Sequence, residues 1–206
     1  MAIFSVAVPA VLSIEGGYQN TAGDSGNLNS LGQSVGTNCG ISAPIYEKYI
    51  GRPPSVSDMK SITPAIATGI YQKLFWNAYN IGSISDQFIA NHVFDMFVNM
   101  DPKDASEVVQ LAINQVSPNL VAVDGIMGPA TMNSLNYVIK KFGADAVNAA
   151  IYSQQVIKYT FFGGQFLQSW LDRSKVFENW VSLNPVVSGS AVLALVIVGF
   201  GIYLLS

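Results

Sequence analysis

The chain has 206 residues, enough for one ordinary domain or a domain with a small appendage, and enough to bury a real core. Half of its residues are apolar, 11% are charged, and the positive mean hydropathy points to a membrane segment. A net charge of -3 with scattered basic residues excludes a nucleic-acid surface, and a single cysteine, Cys39, excludes an internal disulfide.

At the N-terminus Phe4, Val8, Val11, Leu12 and Ile14 fit a short helix, with Pro9 tolerated in a first turn or at a kink. No basic residue precedes this apolar run and no small-residue cleavage pattern follows it, so it is not read as a signal peptide. Gly16-Gly17 ends the helix just after Glu15. A carboxylate at a helix C-terminus feels the unfavourable end of the dipole, which together with burial keeps it protonated, as a general acid requires. The plainer reading of Glu15 is a solvated residue beside a glycine cap.

Gln19 to Ser42 holds few large apolar side chains and many turn formers, and predicts a long polar loop or small hairpin region containing Asp24 and Thr37. A helix over Pro44 to Ile50 follows, capped by Ser42 and stopped by Gly51, and Arg52-Pro53-Pro54 reads as a connector. Thr63-Pro64 opens a helix carrying Ala67, Ile70, Tyr71, Leu74 and Ala78, with an aromatic end at Tyr71, Phe75, Trp76 and Tyr79. Those rings suit core packing, or stacking on sugar faces in a cleft.

Asp86 to Met100 predicts a helix with an apolar stripe and a polar one, His92, Asp95 and Asn99. Buried polar groups must be hydrogen-bonded, so this stripe is either a structural network or the floor of a site. Asp101-Pro102 caps a helix to about Val116, Asp124-Gly125 turns the chain, and Gly128-Pro129 opens a helix closed by Gly143. Helices over about Asp145 to Phe162 and Gln165 to Phe177 complete a mainly α chain. Val186 to Leu205 contains no charge and is long enough, at about 1.5 Å per residue, to cross a hydrocarbon core of roughly 30 Å. The other reading of that stretch is a buried core helix. Lys158, Arg173 and Lys175 precede it, which places the polar part in the cytoplasm of the producing cell by the positive-inside tendency.

The spaced residues Glu15-Gly16-Gly17-Tyr18, Asn20, Asp24 and Gly36-Thr37-Asn38-Cys39-Gly40-Ile41-Ser42 resemble the signature of glycoside hydrolase family 108, phage-type lysozymes that cut peptidoglycan. Ala67 to Trp76 and Phe94-Asp95-x-x-Val98-Asn99 resemble two further helices of that family. Val123-Asp124-Gly125-Ile126-Met127-Gly128-Pro129-Ala130-Thr131 resembles the peptidoglycan-binding module that usually follows, and Phe166 to Arg173 its closing segment. Two departures stand out. Nine residues, Asn27 to Val35, are inserted between the aspartate and the glycine-threonine motif, and the apolar C-terminal segment is an addition.

The resemblance implies a lysozyme-like helical catalytic domain over 1–100, a wall-binding helical module over 101–178, a linker over 179–185 and a transmembrane helix over 186–205. It implies Glu15 as acid, Asp24 as base or electrostatic stabiliser and Thr37 as a positioner of water or sugar. Tyr18, Asn20, Trp76, Asp95 and Asn99 would line the substrate cleft. Asp124, Gly125, Gly128, Pro129 and Thr131 would belong to the wall-binding module. No cofactor or metal is expected. The expected partners are peptidoglycan, a lipid membrane through Val186 to Leu205, and virion proteins, but not nucleic acid. The expected location is a host inner membrane or virion membrane. The function implied is an anchored muramidase serving lysis or wall penetration. Its rivals are a lytic transglycosylase, in which the sugar's own hydroxyl attacks, and a non-catalytic virion or wall-binding protein derived from a lysozyme.

Overall fold

Ala7, Val8 and Val11 recur on one face of the first helix, α1 (Phe4–Ile14), and are buried, while Ile3 and Val6 face solvent. Pro9 lies past the first turn of α1, where it removes one intrahelical hydrogen bond. The structure, a computed structural model, describes residues 1–14, 16–164 and 167–182. These fall into two compact units, Ile3–Gly82 and the part that begins at Ser83.

In the first unit the long loop after α1 carries isolated antiparallel bridges, Gln19 with Thr37, Leu28 with Ser34 and Asn38 with Ile41. The loop leads into α2 (Ala43–Ile50), where Ser42 stands at the cap position and Gly51 adopts the left-handed conformation that ends the helix. A helix missing from the sequence reading, α3 (Val56–Lys60), is opened by Ser55 and Asp58. Ser55 Oγ accepts from the Asp58 amide and the Asp58 carboxylate accepts from the Ser55 amide, a reciprocal cap.

Thr63 caps α4 (Pro64–Tyr71), accepting from the Ile66 amide. The helix predicted to continue to Ala78 instead widens over Gln72–Trp76, where the Asn77 amide reaches back to Gln72 O at 2.9 Å. That wide turn buries both Phe75 and Trp76, and Trp76 meets the ring of Phe4 edge-on at 5.5 Å, which fastens α4 to α1. Asn38 Nδ2 donates to the carbonyls of Met59 and Ile62, and the Tyr71 hydroxyl donates to the Cys39 carbonyl, so the end of the loop is tied to α3 and α4.

The second unit is helical: α5 (Gln87–Asn99), α6 (Pro102–Val116), α7 (Pro129–Phe142), α8 (Ala144–Phe162) and α9 (Leu167–Ser182). Asp86 and Asp101 cap α5 and α6 through their side chains, as their positions before apolar runs predict. The core lies where α8 packs against α6 and α9. The mainly helical class expected from the sequence is thus observed. The stretch Val186 to Leu205 lies outside the described residues, and among the described residues no helix is long and apolar enough to cross a membrane.

The polar stripe of α5 is part of a buried network. His92 Nδ1 lies 2.8 Å from Asn148 Oδ1 and His92 Nε2 lies 2.9 Å from Gln155 Oε1, while the ring stacks on Phe177 at 4.2 Å. Asn148 Nδ2 donates to the Phe177 carbonyl, which turns Oδ1 toward the imidazole. Arg173 donates through Nε and Nη2 to Asp95 Oδ1 at 3.0 and 2.8 Å, and Asn99 Nδ2 donates to the Asp95 carbonyl. Burial pushes the nearby Tyr159 hydroxyl up to about 12.

Burial holds His92 below the ordinary imidazole range, more strongly than the Gln155 and Asn148 hydrogen bonds raise it. The unfolded chain therefore binds a proton near pH 6.5 that the folded chain refuses, and stability falls as pH drops through that value. Between pH 7 and 5.5 the protein is expected to lose stability through this one group. Urea unfolding of the full chain checks it against His92→Gln, which lacks the titration and should show a correspondingly smaller loss.

Candidate active-site loop

The loop between α1 and α2 is built on two backbone exchanges. Gln19 and Thr37 bond each other in both directions, N to O at 2.9 and 2.8 Å. The carbonyl of Asn27, a fully buried residue, accepts from the amides of Val35 at 2.8 Å and Gly36 at 3.2 Å. The chain therefore leaves at Asn27 and returns to the same point, and the inserted residues form an excursion that does not push Asp24 and Thr37 apart.

The excursion has its own internal order. Asn29 Oδ1 accepts from the amides of Leu31 and Gln33, and its Nδ2 donates to Gln33 Oε1 and to the Pro54 carbonyl. The Ser30 amide donates to Glu47 Oε2 on α2 at 2.9 Å. Ser34 Oγ donates to Asn20 Oδ1 at 2.6 Å, so Asn20, expected to line the cleft, is engaged by the excursion. The Tyr18 hydroxyl donates to the Val35 carbonyl, and Lys60 Nζ stands 5.0 Å over the Tyr18 ring.

Asp24 caps the short turn Ser25–Asn27: Oδ1 accepts from the Gly26 amide at 2.9 Å and Oδ2 from Gln19 Nε2 at 3.1 Å. Thr37 Oγ1 donates to Asn27 Oδ1 at 2.9 Å. Asp24 and Thr37, predicted as a functional pair, are thus joined through Gln19 and Asn27, two residues absent from the predicted site. The signal that could have found them is local: an amide side chain beside each end of the excursion, in a loop that must satisfy its own backbone.

Glu15, the predicted acid, lies outside the described residues, and α1 reaches the residue before it. Trp76 is 5% exposed, so its ring is packed within the first unit. Asp95 and Asn99 belong to the network of the second unit described above. Asp95 Oδ2 is buried there without a hydrogen-bond partner among the described residues.

The loop before α7 is folded around Gln110, a buried residue that the motif reading passed over. Gln110 Oε1 accepts from the amides of Asp124 and Gly125, and Nε2 donates to Asp124 Oδ1, the Ile126 carbonyl and Thr131 Oγ1. These bonds, Gln110 first and the Ile126 amide next, hold Asp124 below the usual carboxylate range. Gly128 stands at the cap and Pro129 in the first turn of α7. Gly125 has a φ of +72, and a Cβ there would meet Lys103 Cγ at 2.5 Å. Among the described residues no group of three or more His, Cys, Asp or Glu side chains is placed to hold a metal ion.

Residues 8–100 match the glycosyl hydrolase 108 family, which supports glycoside hydrolase activity of the lysozyme kind with peptidoglycan as the substrate polymer. Among solved structures the fold is similar to that of Brucella abortus SagA. The TM-score is 0.68 and the identity 23%, over 87% of this chain and 94% of that one. No curated protein matches the chain in sequence.

Gly36 has a φ of +90, and a Cβ there would stand 2.6 Å from both the Gln19 carbonyl oxygen and the Tyr18 ring. Gly36→Ala is expected to cost about 2 kcal/mol or more. Gly23→Ala, at φ +85 in open space, should cost less because it meets the same backbone strain without the collision. Thermal unfolding of the two variants beside the unchanged chain checks the order.

Proposed function

We propose that the protein is a membrane-anchored muramidase that cleaves the β-1,4 bond between N-acetylmuramic acid and N-acetylglucosamine, phage-encoded and acting in lysis or wall penetration. The observation that carries this reading is the closure of the loop at Asn27, which keeps Asp24 and Thr37 on one hydrogen-bonded frame despite the inserted residues. In this reading Glu15 protonates the leaving oxygen. Thr37 directs its proton to Asn27 and therefore meets a water as an acceptor, as the Asp24 carboxylate also does. A water that gives one hydrogen to each turns a lone pair toward the anomeric carbon, and Asp24 takes the proton that the water loses as it attacks. That is the arrangement for single displacement with inversion.

Residues 101–178 serve in this proposal as a wall-binding module, the loop from Asp124 to Thr131 held in shape by Gln110. Val186 to Leu205 is proposed to anchor the chain in a bilayer. From Ser182, the end of α9, the chain spans at most about 14 Å to Val186, so the hydrolase would work close to its membrane.

Glu15→Gln and Asp24→Asn are each expected to lower reducing-end release from purified peptidoglycan by about 100-fold or more with folding retained. Proton NMR of the first products should show the α-anomer of N-acetylmuramic acid. The β-anomer would replace inversion with retention, and 1,6-anhydro products would replace hydrolysis with transglycosylase chemistry. Wall binding without any product would assign the chain a non-catalytic role.

A further inference from the structure

We infer that Gln19 is a positioning residue of this site: its amide sets the orientation of the Asp24 carboxylate and donates to Asn27 Oδ1, the same oxygen that accepts the Thr37 proton. The inference rests on the hydrolytic reading above and deepens it. A primary amide has one donor end and one acceptor end, and the ends can be told apart only by partners that play a single role. Both amides here have such partners. The Thr21 backbone amide, which can only donate, lies 2.8 Å from Gln19 Oε1, so Nε2 must face Asp24 Oδ2 at 3.1 Å and Asn27 Oδ1 at 3.3 Å. The Thr21 carbonyl, which can only accept, lies 3.0 Å from Asn27 Nδ2, so Oδ1 must face Thr37.

Thr37 therefore has an acceptor on its inner side and gives its proton there. The Gly26 carbonyl, 3.4 Å away, is a second acceptor and leads to the same result. The orientation of the site thus originates in one residue's backbone, Thr21, and reaches Asp24 and Thr37 through two amide side chains. Gln19 is the member that touches the most: its side chain meets Asp24, Asn27 and Thr21, and its backbone pairs with Thr37 in both directions.

Lys60 on α3 lies over the Tyr18 ring, Asp58 pairs with Arg52, Glu47 on α2 accepts from Ser30, and Lys48 on α2 is exposed. Glu15 lies outside the described residues. Lys60, Asp58 and Glu47 are each engaged elsewhere, so the carboxylate that Gln19→Glu adds acts first on Asp24, the hydrogen-bond partner of Gln19.

The test is the pH dependence of kcat/KM for the full-length chain on purified peptidoglycan, with reducing-end release as the signal and unfolding followed in parallel. Gln19→Glu keeps the side chain's size and its acceptor for the Thr21 amide, but replaces the donor facing Asp24 with a second carboxylate. Like charges at that distance disfavour ionisation of Asp24. The acid limb of the profile is expected to move up by about one pH unit or more. At the unchanged chain's optimum, kcat should fall more than tenfold while pelleting with the wall is unaltered. If Gln19→Glu does not fold, Asn27→Asp adds the charge one hydrogen bond farther away, and its acid limb must also move up. An unmoved acid limb in a folded, wall-binding variant, beside an active parent, would overturn the role of Gln19 and leave the hydrolytic reading standing. An inactive parent would overturn that reading itself, and the role of Gln19 with it.

Discussion

The Asn27 carbonyl, which accepts from both Val35 and Gly36, is the interaction on which the candidate active-site loop depends. A chain that inserts residues between two functional side chains has to bring the ends of the insertion together, at an entropic cost that grows only slowly with loop length. The closure at Asn27 does this with backbone bonds. Asn29 then organises the excursion from within, so that the added residues satisfy most of their own polar groups and draw little on the frame that holds Asp24 and Thr37. Gly36 marks the return point, where its φ of +90 and the nearness of Gln19 and Tyr18 leave no room for a side chain.

The same chemistry recurs in the second unit. With 11% of its residues charged, the chain organises its interior largely through amides. Asn27, Asn29, Asn38, Gln110, Asn148 and Gln155 are all buried. An amide satisfies an N–H and a C=O at once, which suits it to hold irregular backbone that no sheet or helix ladder supports. Gln110 does so for the loop before α7, as Asn27 does for the loop after α1. Ionic pairing is concentrated in a few places, among them Arg173 with Asp95 and Lys158 with Asp104 and Glu107.

Much of the helical frame was legible in the sequence because its signals are local. Asp86, Asp101, Thr63 and Ser42 stand at the helix starts where their residue types predict them, and Gly51 and Gly143 stand at helix ends. The capping box at Ser55 was equally local, but its closing member is Asp58 rather than Glu or Gln and the helix it opens is short, so the helix was missed. The widening of the turn over Gln72–Trp76 was not legible, because it is set by burial of Trp76 against Phe4, far off in sequence. The resemblance named Asp24 and Thr37 on one loop but not what joins them, since Gln19 and Asn27 belong to no motif and act through single-role backbone partners that a sequence does not display. The polar stripe of α5 shows a similar limit. Its period placed His92, Asp95 and Asn99 on one face, but their partners on α8 and α9 emerge only from the packing of helices.

The excursion is closed at Asn27 by the amides of Val35 and Gly36, leaving Gln19 and Thr37 paired. Amide hydrogen exchange of the full-length protein reads this directly, residue by residue. The amides of Gln19, Val35, Gly36 and Thr37 each have a backbone acceptor and should exchange at least about 100-fold more slowly than an unstructured chain. Exchange of those four amides at unstructured rates, with the helices of the same unit still protected, would contradict the account.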